Sequence, residues 1–156
     1  MKNLNNQFTD YTQKELEKVN NYRQASLIAL DIILGLPSPI GQVCGPLTSG
    51  GSSREENKKI FKATILKLQK DKKIIFNQLN FQPTLKRLFS QDNHSLEKKN
   101  LTLLEGFYAP IFESGWIENL YFIDKWKSSF GACWEHQKIT ELRLTSIYLP
   151  KGFVEQ

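Results

Sequence analysis

Short apolar runs alternate along this chain with longer stretches of helical period. No other feature constrains the fold as strongly. The runs fall at residues 40–45 (IGQVCG), 73–76 (KIIF), 120–123 (LYFI) and 145–149 (TSIYL). They are apolar on both faces, as strands are when helices cover both sides of a parallel sheet. Helical patterns lie between them. Residues 54–70 carry Phe61, Ile65 and Leu68 on one face, 82–90 suggest a short helix, 101–115 are weakly helical, and 131–142 form a further helix. The polar stretch 91–100 (QDNHSLEKKN) reads as a surface excursion. The expected fold is α/β, a short parallel sheet flanked by helices, Rossmann- or flavodoxin-like. It carries an extra helix at its N-terminus.

That extra helix begins after a polar, loose start at residues 1–11. Thr12 opens it with a capping box, TQKE, and Leu16, Val19, Ala25, Ile28, Ala29 and Ile32 give it an apolar face. Gly35 and Pro37 stop it. The chain thus divides into a tail and amphipathic helix (1–38) and an α/β domain (39–156), with the helix docked on the domain or on a partner subunit. With 156 residues the chain can bury a full core without a staple. Its two cysteines, Cys44 and Cys133, have no metal-ligand spacing. The first residues are too polar for a signal peptide. The longest apolar run, 25–36, is interrupted by Asp31 and is too short to cross a bilayer. The expectation is a cytoplasmic protein that engages no membrane and no nucleic acid. The net charge of +5 fits an anionic ligand, and equally a surface of spare lysines.

Two segments carry candidate chemistry. The first, VCGPLTSGGSSREEN, joins a strand to a helix. Gly45, Gly50 and Gly51 allow close approach of a ligand, Ser49 and Ser52 add hydroxyl groups, and the helix that follows points its free N–H groups at the loop. It is neither a P-loop nor a GxGxxG turn, and an ordinary connection has the same composition. Asn57 lies one turn before Phe61, towards the buried face, where it either meets the ligand or bonds the nearby backbone. The second segment, DKWKSSFGACWEHQKITEL, is sharper. Glu135, Ile139 and Leu142 share one helical face, so Glu135 is drawn inward close to the helix start. A buried carboxylate is costly unless it is paired or used. Side chains lean towards a helix N-terminus, so Glu135 tips towards the strand ends. Ser128 or Ser129 is placed to cap this helix, and a capping serine beside free N–H groups also suits a phosphate.

The blocks CGPLTSGGSSREENKKIF and WKSSFGACWEHQKI resemble the nucleoside 2-deoxyribosyltransferase superfamily, and most closely its nucleotide N-glycosidase branch. The resemblance implies cleavage or transfer of the N-glycosidic bond of a nucleoside 5′-monophosphate, or of a nucleoside. Glu135 falls on the family's nucleophile, and Ser129 on the serine that contacts the 5′-phosphate. Where the family uses unphosphorylated nucleosides, that position is an aspartate. Gly45 and the Ser/Gly loop match the ligand-lining first loop, and Gly131 matches the tight turn into the helix. Asn119 stands where the family often carries a catalytic aspartate, with Glu113, Glu118 and Asp124 nearby. The resemblance also implies no metal, no cofactor, and a homodimer or higher homo-oligomer. Two other functions stay open: a nucleotide-binding or sensing domain without chemistry, and a scaffold subunit that keeps only the fold.

Overall fold

The computed structural model describes residues 7–155. Among them, β1 (Ile40–Cys44), β2 (Ile74–Ile75), β3 (Ile117–Phe122) and β4 (Thr145–Tyr148) form one sheet. Every pairing is parallel, in the order β2-β1-β3-β4. The α/β expectation therefore holds. This is the order of a flavodoxin-like sheet without its last strand, and its switch point lies between β1 and β3. Connections leave those two strands towards opposite edges, so a crevice opens beyond their carboxyl ends.

The two faces of β1 meet different helices. Val43 faces α3 (Arg54–Lys70), packing with Phe61, Ile65 and Leu68. Ile40 and Cys44 face the larger core, with residues of α2 (Tyr22–Leu34), α4 (Gln82–Ser90), α6 (Ala109–Glu113) and α7 (Phe130–Glu141). Ala25, Ala29 and Ile33 of α2 are wholly buried there, so this helix shares the core of the sheet. No described helix is long and apolar enough to cross a membrane.

Several boundaries differ from expectation. The N-terminal helix is two helices, α1 (Asp10–Lys18) and α2. Thr9, not Thr12, caps the first: its hydroxyl accepts the Thr12 N–H at 3.1 Å. Asn21 starts the second by accepting the Gln24 N–H at 2.9 Å. An Asx side chain that competes for backbone N–H groups breaks a helix that its apolar periodicity would have continued. Residues 1–6 of the expected loose start lie outside the described residues. Beyond them, Phe8 sets its ring edge on Phe81, and Gln7 bonds the backbone of Ile75 and Asn77. β3 begins at Ile117, before the expected 120. The excursion at 91–100 already contains the start of α5 (Leu96–Leu103), which Ser95 caps. The weak period of 101–115 also has a cause. A π-helical turn, Leu104–Tyr108, interrupts the run between α5 and α6. Pro110 has no N–H to return to the Gly106 carbonyl, so the regular ladder is already broken at this turn.

Candidate active site

A cavity of about 280 Å³ lies beyond the carboxyl ends of β1 and β3. Gly45, Leu47, Thr48 and Ser49 form one side, and Ser129, Phe130, Gly131, Ala132 and Glu135 of the α7 start form another. Leu85, Phe89, Leu96, Leu103 and Leu104 make an apolar wall. Gln82, Asn100 and Tyr108 add polar groups, and Arg54 and Lys86 bring two cations. Among the described residues that line the cavity, Glu135 is the one carboxylate.

Glu135 is only 7% exposed, and its Oε2 lies 3.5 Å from the Cys44 thiol at the end of β1. Burial pushes its carboxyl up to about 8, against a smaller lowering effect of the Cys44 hydrogen bond. Burial and then the neighbouring Glu135 hold the Cys44 thiol well above its ordinary range. Tyr108 is raised by burial, then by Glu135 and Cys44, with a bond to Gln82 opposing. Burial favours the neutral form of all three. Three titratable groups thus share a water-poor corner in which any new charge acts strongly.

Ser129 is buried and caps α7, its Oγ accepting the Ala132 N–H at 3.2 Å. Among the described residues no acceptor takes its hydroxyl proton. Phe130 and Gly131 head the helix, where backbone N–H groups have no partner within it. Gly131 therefore lies inside the first turn of α7, not at a tight turn before it. A Cβ there would meet only Leu104 and Ser129, at 3.9 and 4.0 Å.

The first loop divides in two. Gly45 and Ser49 line the cavity; Gly50, Gly51, Ser52 and Asn57 do not. Those four hold the loop in shape. Asn57 is 4% exposed, takes the Ser52 N–H on Oδ1 at 2.9 Å and gives Nδ2 to the Gly50 carbonyl at 2.9 Å. The Gly51 N–H donates to Ser128 Oγ at 2.7 Å, and Ser128 donates to the Lys125 carbonyl at 2.6 Å. Ser128 is therefore a strut between the two loops, while Ser129 is the cap. Gly50 has φ +73°, and a Cβ on it would sit 2.2 Å from the Ser128 carbonyl oxygen. Gly45 is fixed by proximity, since its Cβ would meet Ile123 at 2.9 Å.

Asn119 is not brought to the cavity. It lies in register with Gly41 and Thr145, near the amino end of β3, whereas Cys44 and Phe122 mark the end at which Glu135 sits. Glu113 is also elsewhere, paired with Lys138 at 2.8 Å. Sequence reasoning missed Tyr108, Gln82, Asn100, Arg54 and Lys86. Arg54 adjoined the loop already singled out. Tyr108 left no trace, because the π turn that aims it at the cavity also hides its helical period. Among the described residues no cluster of His, Cys, Asp or Glu could hold a metal ion. No family model, curated protein or solved structure matches this chain.

Proposed function

We propose that this protein cleaves or transfers the N-glycosidic bond of a nucleoside 5′-monophosphate, with Glu135 as nucleophile. One observation carries the reading: a buried carboxyl and an anion-accepting helix start face the same cavity from adjacent turns of α7. A phosphate against the Phe130 and Gly131 N–H groups and the Ser129 hydroxyl leaves the sugar over Glu135. Arg54 and Lys86 complement its charge, and the apolar wall receives the base. The likeness of the two loop blocks to nucleoside 2-deoxyribosyltransferases supports the same chemistry.

In that chemistry a Glu135 oxygen forms a bond to the anomeric carbon as the carbon–nitrogen bond breaks, and the electron pair leaves with the base. The glycosyl ester is then opened by water or by an acceptor base. Attack needs the carboxylate, whereas burial favours the acid. The positive charge that develops at the anomeric carbon opposes that preference at the moment of reaction.

A second reading, nucleotide binding without turnover, has its own support. Burial favours the protonated form of Glu135, and among the described residues neither Asn119 nor a second carboxylate lines the cavity. The test is to incubate the protein with each common ribo- and deoxyribonucleoside 5′-monophosphate and to measure free base by chromatography beside Glu135→Ala. Release that disappears in the variant is expected. Stabilisation by a nucleotide without release would favour the second reading, and full release by Glu135→Ala would overturn the first.

A further inference from the structure

No residue of α5 is fully buried, yet one face of this helix is turned to the cavity. Leu96, Asn100 and Leu103 stand at i, i+4 and i+7 and line the cavity together. Leu96 is 68% exposed, and Asn100 and Leu103 are half-buried. Sites for small ligands take this form, an apolar wall with a few polar groups that fix orientation. Asn100 is the exception in its pattern. Asparagine is a poor helix former, and here it stands between two leucines where the period calls for an apolar residue. Among the described residues its amide has no hydrogen-bond partner within the chain. The other amide at the cavity, Gln82, is already bonded to Tyr108.

The reading of the cavity as a nucleotide site sets the phosphate at the α7 start and the sugar over Glu135, and the inference rests on that reading. The base then lies against Leu85, Phe89, Leu96, Leu103 and Leu104, with Asn100 among them. A primary amide offers an acceptor and a donor side by side. Adenine presents the matching pair, an amino group that donates and an adjacent ring nitrogen that accepts. It is also the one common base with a single exocyclic polar group. Guanine, cytosine, thymine and uracil each carry two, at separate ring positions. An amide that satisfies one of them leaves the other against leucine, and a polar group buried without a partner is costly. We propose that the cavity selects adenine nucleotides and that Asn100 reads the base. Its Oδ1 accepts from the exocyclic amino group, and its Nδ2 donates to the neighbouring ring nitrogen.

The experiment is isothermal titration calorimetry of Glu135→Ala, in which the proposed reaction is removed. The ligands are the nucleoside 5′-monophosphates of adenine, guanine, cytosine, uracil or thymine, and unsubstituted purine, in ribose and deoxyribose form. Purine lacks only the amino group of adenine. The adenine nucleotide is expected to bind tighter than every other by about tenfold or more. Adding Asn100→Leu, which continues the wall, should make the adenine and purine nucleotides bind alike. A merely structural role for Asn100 would weaken both and leave their ratio unchanged. Thermal shifts of wild type should follow the same ligand order. Equal binding of the adenine and purine nucleotides, preference for another base, a ratio that survives Asn100→Leu, or no binding at all overturns the inference. Base release by wild type separates it from the glycosidase reading. Adenine preference without release keeps Asn100 as the reader and removes the Glu135 chemistry, and release without adenine preference does the reverse.

Discussion

Glu135 couples stability to pH in a way that the proposed reaction shares. Its folded value of about 8 lies above the ordinary 4.5. The folded state therefore binds the proton more tightly. Its contribution is full below the ordinary value and is lost as pH rises to about 8. Glu135→Gln should abolish that loss. Urea melts should find the variant close to wild type in acid and more stable above about pH 8, by on the order of a few kcal/mol. Ser129 offers a cleaner probe of the substrate. Ser129→Asp keeps an N-cap of equal quality but sets a carboxylate against the proposed phosphate. We expect KM for nucleoside monophosphates to rise at least about tenfold, with little loss of stability. The inward turn of Glu135 was legible from the spacing of Ile139 and Leu142 alone. The Cys44 thiol beside it was not, because the two lie 91 positions apart.

The elements are held by local chemistry that the chain announces unevenly. Caps at Thr9, Asn21, Ser53, Ser95 and Ser129 all follow residue preference. Helix ends are less orthodox. α3 and α7 close on Lys72 and Arg143, both with positive φ, 67° and 60°. Their following N–H groups reach back to Leu68 and Ile139 at 3.0 Å. This is the left-handed closure that glycine usually provides. Lys72→Gly and Arg143→Gly should each stabilise the fold by about 1 kcal/mol in denaturant melts. The opposite is expected at Gly50, where alanine would strike the Ser128 backbone. Gly50→Ala should cost about 2 kcal/mol and spread the two loops. The Ser/Gly composition of that loop suggested a ligand cradle throughout. In the folded chain half of it is the lock that shapes the other half, a distinction only three-dimensional contacts make.

At the scale of the molecule, alternating apolar runs were enough for a parallel sheet with helices on both faces. They also fixed the crevice at the carboxyl ends, since that follows from the topology. What escaped is tertiary. The cavity's apolar wall comes from α4, α5 and the π turn; residues 91–115 are polar or weakly periodic, and no local pattern shows that these inner faces converge. Asn119 shows the converse. The resemblance implied a place for it at the site, while strand register puts it near the other end of β3. One carboxyl at one helix start therefore carries the proposed chemistry. Its most direct test is base release from nucleoside 5′-monophosphates measured across about pH 5 to 10, a span that brackets the Glu135 value, beside Glu135→Ala. We predict release that climbs with pH, levels off above about 8 as the carboxylate forms, and is absent in the variant. Release that persists in Glu135→Ala, or that falls as pH rises through that range, would contradict it.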